Sequence, residues 1–140
     1  MSWLKKSNIT LIVNTARGLE KVLGPKYVQK LNKRSTECPD IDIYNYLIND
    51  DILQILDIED LRNIFKEVRK HLDNESSVLV HCAQGKSRST TVLAAVLCFM
   101  TNQTVSEILN FIKSKRSMAD PNINFRKQLK DFEKNGNFIL

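Results

Sequence analysis

The chain has 140 residues, of which 42% are hydrophobic and 26% charged, and it carries a formal net charge of +5. This length and composition are typical of one globular domain and argue against an intrinsically disordered chain. No apolar run reaches the roughly 18 residues that a membrane-spanning helix needs, and the N-terminal MSWLKKSNIT lacks the apolar segment of a signal peptide. The basic charge favours an anionic partner, although solubility alone also explains it.

The first half of the chain alternates predicted strands with turns. Residues 9–13 are apolar and mostly β-branched and predict a short buried strand. Residues 18–40 are mixed, with turns at GPK and CPD. Residues 41–48 predict a second strand, which ends at the polar Asn49-Asp50-Asp51. Asp57 then caps a predicted helix. The apolar side chains of that helix follow helical spacing: Ile58, Leu61, Ile64, Phe65, Val68 and Leu72.

The second half is mainly helical. Residues 78–80 predict a third, buried strand, and residues 88–100 predict a helix that is apolar on nearly every side and therefore lies in the core. Thr104 and Glu107 form a capping box for the next helix. Residues 119–124 predict a loop and residues 125–134 a final helix. The apolar face of the capped helix comprises Val105, Ile108, Leu109 and Ile112. The alternation predicts an α/β fold with a mostly parallel central sheet flanked by helices, as one domain over residues 1–140.

The cysteine usage indicates a reducing compartment. Cys38, Cys82 and Cys98 are odd in number and form no CxxC pair. This pattern argues against a disulfide framework or a zinc site. We therefore expect no bound metal and a cytoplasmic location, with the nucleus as an alternative.

The stretch HCAQGKSRST, residues 81–90, places a thiol and a guanidinium in one turn between a predicted strand and a buried helix. Free N–H groups and the positive end of the helix dipole converge there and bind an anion. Gly85 permits the tight turn, and Arg88 offers two N–H groups to phosphate oxygens. The same groups should lower the pKa of the Cys82 thiol, and a thiolate facing a phosphate is a nucleophile for phosphorus. Buried cysteines are usually inert, as we expect for Cys98, but an arginine in an apolar run needs an anionic partner.

The segment HCAQGKSRS resembles the HCxxGxSRS signature of the dual-specificity phosphatases, within the cysteine-dependent protein tyrosine phosphatase superfamily. The segments LKKSNITLIVNTARG, YNYLINDD and DPNINFRKQLKDFE resemble further parts of that family, so the likeness covers most of the chain and is weakest over residues 19–39. The resemblance implies a protein tyrosine phosphatase-like fold with a phosphate-binding loop between a strand and a buried helix. It also implies phosphomonoester hydrolysis through a phosphocysteine intermediate, without a cofactor.

The resemblance implies a role for each residue of this loop. Cys82 would form the phosphocysteine, and Arg88 with the loop amides would hold the phosphoryl oxygens. Ser89 would donate to the Cys82 thiolate and help it leave, while His81 would keep the pKa of that thiol low. Asn122 lies where the family has an asparagine that supports the loop. The amides belong to Ala83, Gln84, Gly85, Lys86, Ser87 and Arg88.

The general acid, which protonates the leaving oxygen, has two adjacent candidates, Asp50 and Asp51. The spacing to the cysteine loop permits both. The spacing to the following helix favours Asp51, and so does the match of Tyr44 and Leu47 to apolar strand positions of the family. We therefore predict Asp51 as the general acid, with Asp50 as the alternative.

The resemblance implies phosphorylated protein substrates, carrying phosphotyrosine, phosphoserine or phosphothreonine. Lys86, inside the loop, keeps a phosphoinositide or other non-protein phosphatase open as an alternative. The family normally has a further strand and helix at its start, so we expect here either a shortened member of the family or a truncated sequence. A catalytically weak, phosphate-binding interaction module is therefore a second alternative, and a homodimer is one way to cover an exposed sheet edge. We expect neither a nucleic acid partner nor a membrane span.

Overall fold

The computed structural model describes residues 8–17 and 41–140. Its elements in chain order are β1 (Ile9–Ala16), β2 (Asp42–Ile48), α1 (Ile58–Asp73), β3 (Ser77–His81), α2 (Arg88–Met100), α3 (Val105–Lys115) and α4 (Ile123–Lys134). The predicted turns at residues 18–40, with Cys38, lie outside the described residues. None of the described helices is long and apolar enough to cross a membrane.

The sheet has three parallel strands in the order β2-β1-β3. The central strand β1 is buried at all but one of its positions, as expected for a strand with neighbours on both sides. Strands that run parallel need a crossover, which α1 supplies between β2 and β3. The predicted α/β fold with a mostly parallel sheet is confirmed.

The strand β3 is less buried than predicted. Four of its five residues are half-buried and Ser77 is exposed. The reason is its position, because β1 is its one neighbouring strand within the described residues. The cysteine loop therefore follows a strand at one side of this sheet rather than its centre.

The helix α2 lies in the core, as its apolar sequence predicted. It contacts β1, β3 and each of the other three helices. Its first turn is buried although it carries three hydroxyl side chains, those of Ser89, Thr90 and Thr91. On its far half, the ring of Phe99 stacks on that of Phe65 in α1, with 5.2 Å between centroids.

The buried face of α1 is shorter than predicted. Leu72, predicted on this face, is exposed, so the buried face ends at Val68.

The helix caps fix where the loops begin. Asp57 caps α1, and Thr104 forms the predicted capping box with Glu107 at the start of α3. The helix α4 begins at Ile123, two residues before its predicted start, because the Asn122 side chain accepts the N–H of Phe125 at 2.8 Å. The exposed Ile123 breaks the apolar periodicity and concealed this first turn.

Candidate active site

The loop of residues 82–87 joins the end of β3 to the start of α2. The carbonyl of His81 accepts the Thr15 hydroxyl at 3.0 Å, which holds the end of β3 against β1. Gly85 has φ of +66°, a left-handed conformation that glycine adopts without strain. The Ser87 hydroxyl accepts the N–H of Asn122 at 2.9 Å instead of capping α2. Ser87 therefore does not cap α2, and the first N–H groups of this helix point toward the loop, where an anion can be received.

The Cys82 sulfur lies inside this loop. Its Sγ accepts the N–H of Gly85 at 3.2 Å and lies 3.2 Å from the Ser89 hydroxyl. Burial on its own raises the pKa of the Cys82 thiol. The Ser89 hydroxyl and the backbone N–H groups of Ser89, Gly85 and Gln84 outweigh burial, and the pKa is lowered below its ordinary value. The loop thus favours a thiolate.

The pKa values of His81 and Cys98 are set mainly by burial, unlike that of Cys82. Burial lowers the pKa of His81, with partial opposition from a hydrogen bond to the Cys82 backbone, so the neutral imidazole is favoured at neutral pH. Burial, together with the Glu133 carboxylate, raises the pKa of the Cys98 thiol to about 12. Of these two thiols, Cys82 is the reactive one.

We expect iodoacetamide to modify Cys82 well before Cys98. The rate should rise with pH as the thiolate forms, with a midpoint below that of an ordinary thiol because the pKa of Cys82 is lowered. In Ser89→Ala the midpoint should move to higher pH, since one hydrogen bond to the thiolate is lost. Peptide mass spectrometry over a pH series measures this for each cysteine, including Cys38. A midpoint that does not move in Ser89→Ala would contradict the role given to the hydroxyl.

The Arg88 side chain extends from α2 to the ends of β1 and β2. Its Nη1 donates to the carbonyl of Arg17 at 3.2 Å and to that of Ile48 at 3.3 Å. The Arg17 guanidinium in turn donates to the carbonyl of Leu47 at 3.0 and 3.3 Å. The guanidinium of Arg88 is thereby held at the same edge of the sheet as the cysteine loop.

A cavity of about 250 Å³ joins these groups. It is lined by Asp50, Cys82, Ala83, Gln84, Lys86, Ser87 and Arg88. A larger cavity of about 550 Å³ is also lined by Cys82, and Leu93, Leu97 and Phe111 make much of its wall apolar. The smaller cavity brings the thiol, the guanidinium and a carboxylate together, so it is the candidate site for a phosphate.

Asp50, not Asp51, faces this cavity. The Asp50 carboxylate accepts the side-chain amide of Asn122 at 2.8 Å. The Asp51 carboxylate closes a turn instead, accepting the N–H groups of Leu53 at 3.0 Å and Gln54 at 2.8 Å. Of the two strand residues matched to apolar positions of the family, Tyr44 packs against the core and Leu47 is exposed. The geometry therefore favours the alternative candidate.

Arg116, at the end of α3, is a site residue that the sequence analysis missed. Its Nε donates to the carbonyl of Gly85 and its Nη2 to that of Gln84, both at 3.1 Å. A Cβ on residue 85 would lie 2.8 Å from Nη2, so the side chain packs directly on the loop. Basic residues are ordinary at the C-terminus of a helix, so nothing in the pattern around Arg116 predicts this contact.

The strand-loop-helix unit places a cysteine, an arginine and the start of a helix beside one cavity, as the resemblance to the cysteine-dependent phosphatases implied. The model for the catalytic domain of dual specificity phosphatases matches residues 1–135, and the chain belongs to this family. The resemblance found in the sequence is confirmed.

Individual relatives agree with this assignment. Dual specificity protein phosphatase 1 of Arabidopsis thaliana is 34% identical over 137 residues, which are 94% of this chain and 59% of that protein. The chain thus spans about three fifths of this relative. Human dual specificity protein phosphatase 7 is 40% identical over 80 residues, 54% of this chain and 19% of that protein. A mouse putative dual specificity phosphatase, crystallised with zinc tungstate, has a TM-score of 0.76 at 26% identity, covering 94% of this chain and 74% of that one.

Proposed function

We propose that the chain removes phosphate from phosphotyrosine and from phosphoserine or phosphothreonine in proteins, through a phosphocysteine on Cys82. One observation carries the proposal: Cys82, Arg88 and Asp50 line one cavity of about 250 Å³. The lowered pKa of Cys82 supports its role as nucleophile. Membership of the dual specificity phosphatase family supports the choice of protein substrates.

In the first step the phosphoryl oxygens bind the free N–H groups of α2 and the Arg88 guanidinium. The Cys82 thiolate attacks phosphorus, so that an S–P bond forms as the P–O bond to the substrate breaks. Asp50 in its protonated form gives its proton to the leaving oxygen. The contact of Asn122 with the Asp50 carboxylate supports this role, because it orients that carboxyl group beside the loop.

In the second step water attacks phosphorus and the S–P bond breaks. The Asp50 carboxylate takes the proton of the attacking water, and inorganic phosphate is released. The Ser89 hydroxyl, 3.2 Å from the sulfur, donates to the departing thiolate. His81 is a supporting residue at the end of β3, where its carbonyl accepts the Thr15 hydroxyl at 3.0 Å and holds the strand end that carries the loop.

The proposal is tested by measuring phosphate release from an aryl phosphate, from phosphotyrosine and phosphothreonine peptides, and from phosphoinositide vesicles. We expect release from the aryl phosphate and from both kinds of peptide. Faster release from phosphoinositide would overturn the substrate class and point to Lys86, which lines the cavity, as a contact for a second phosphate. Phosphopeptide binding without release from any substrate would show an interaction module instead.

Arg116→Gln should lower kcat/KM for an aryl phosphate roughly tenfold or more, by the scale of losing well-placed loop donors. The reason is that two loop carbonyls lose their shared donor, and the loop amides are then less well oriented toward the phosphate. Lys113→Gln on the same helix removes a similar charge and is the matched control. The measurement is steady-state kinetics with vanadate inhibition, since vanadate binding reports the loop amides directly. Equal kinetics and equal vanadate affinity in the two variants would contradict this account.

A further inference from the structure

Four large apolar side chains beside the candidate site are exposed to solvent. Ile52, Leu53, Ile55 and Ile123, together called the apolar rim, are 73% to 82% exposed. Single exposed apolar side chains are ordinary on protein surfaces, but a contiguous group of them marks an interaction site. Two hydrogen bonds from Asn124, the residue after Ile123, reach the carbonyls of the segment that carries the other three.

The rim is displayed by an ordered segment whose polar groups are used internally. The Asn124 amide donates to the carbonyls of Asp51 at 3.1 Å and Gln54 at 2.8 Å. The Gln128 side chain donates to the Gln54 carbonyl at 2.9 Å and accepts the N–H of Leu56 at 2.8 Å. Leu56 is buried beneath them. Because the backbone is fixed in this way, its apolar side chains are held outward and cannot collapse onto the core.

The rim adjoins the residues that would bind and protonate a substrate. Ile52 lies two residues after Asp50, which lines the cavity, and Ile123 follows Asn122, whose side chain contacts the Asp50 carboxylate. An extended peptide advances roughly 3.3 Å per residue. With a phosphorylated side chain seated at Cys82, the substrate residues within about one to three positions of it are the ones that can reach the rim.

The charges around the rim indicate which surface can cover it. Residues 49–60 contain five carboxylates and no lysine or arginine: Asp50, Asp51, Asp57, Glu59 and Asp60. Glu59 pairs with Arg62, and Arg126 and Lys127 lie on the α4 side of the rim. Asp50, Asp51 and Asp57 remain beside Ile52, Leu53 and Ile55 and disfavour an anionic phosphoinositide membrane there. A protein segment with apolar side chains and no acidic ones fits both the apolar and the charged character of the rim.

We propose that the apolar rim is a substrate subsite that binds apolar residues one to three positions from the phosphorylated residue of a protein. This rests on the proposed function and names the substrate class within it. Acidic residues at those positions are disfavoured by the carboxylates that flank the rim.

The test compares two phosphotyrosine peptides that differ only in having leucine or glutamine on both sides of the phosphotyrosine. The wild-type chain should show a kcat/KM roughly tenfold higher for the leucine peptide, by the scale of burying one such side chain. Leu53→Gln with Ile55→Gln should bring the ratio close to one and leave aryl phosphate hydrolysis unchanged, because that substrate is too small to reach the rim. Ile139→Gln with Leu140→Gln removes two similarly exposed side chains at the C-terminus and should keep the preference.

The outcomes separate this inference from the function on which it rests. No aryl phosphate hydrolysis by the wild type would overturn the proposed function, whereas hydrolysis without a leucine preference would overturn the subsite alone. Binding of both peptides to Cys82→Ser measures the preference without turnover, and equal affinities would also overturn it. Two further results with the Leu53→Gln, Ile55→Gln variant would overturn it. In the first, the variant loses activity on phosphoinositide vesicles but keeps the leucine preference. In the second, the variant no longer dimerises but keeps the leucine preference.

Discussion

Phosphate release should fall at least about a thousandfold when Cys82 is replaced by serine. Serine keeps the size of the side chain and a hydrogen-bonding atom for the Gly85 amide, but its hydroxyl remains protonated and cannot attack phosphorus effectively. The loop and Arg88 are untouched, so a phosphotyrosine peptide should still bind. Steady-state phosphate release and calorimetric titration with the peptide measure the two effects.

Cys98→Ala is the matched control for the cysteine. Cys98 is buried in α2 and burial raises the pKa of its thiol to about 12, so it has no thiolate to contribute. This variant should turn over substrate at close to the wild-type rate, with a modest loss of thermal stability from the small cavity. Substantial turnover by Cys82→Ser, or loss of turnover in a folded Cys98→Ala chain, would contradict the assignment of the nucleophile.

Asp50→Asn should lower kcat by about a hundredfold to a thousandfold on a phosphopeptide, whose leaving group needs a proton. The loss should be smaller on an aryl phosphate with a good leaving group. Asp51→Asn should keep most of the activity, because the Asp51 side chain closes a turn with Leu53 and Gln54 and an asparagine oxygen can accept the same two N–H groups. Steady-state kinetics measures the kcat of Asp50→Asn and of Asp51→Asn on the phosphopeptide and on the aryl phosphate.

The comparison between the two aspartates is its own control, since the residues are adjacent and have the same chemistry. If Asp51→Asn loses activity on the phosphopeptide and Asp50→Asn does not, the carboxylate that lines the cavity in this structure is not the general acid. Equal losses on good and poor leaving groups would show that neither residue protonates the leaving oxygen.

The loop was predictable because its chemistry is local. A thiol, a glycine and an arginine that lie within seven residues, between an apolar strand and an apolar helix, fix their own surroundings through the strand end and the helix N-terminus. The helices α1 and α3 were equally predictable, because the cap and the apolar spacing of each lie within one continuous segment of the chain.

The residues that the sequence did not assign act across long separations. Whether Asp50 or Asp51 faces the loop depends on Asn122, which lies far along the chain. The contacts of Arg116 with Gln84 and Gly85 join the end of one helix to the loop before another. Contacts of this kind follow from tertiary packing and leave no period or cap in the sequence, so only the fold reveals them.

We propose that the phosphoryl group passes from the substrate to the Cys82 sulfur before water releases it. Rapid quenching of the wild-type chain during turnover of a phosphotyrosine peptide, followed by peptide mass spectrometry, tests it directly. We expect one phosphoryl group on the peptide that contains Cys82, and none there in Cys82→Ser treated in the same way. Turnover at the full rate with no phosphoryl group on Cys82 at any time, or with one on another residue, would contradict the account.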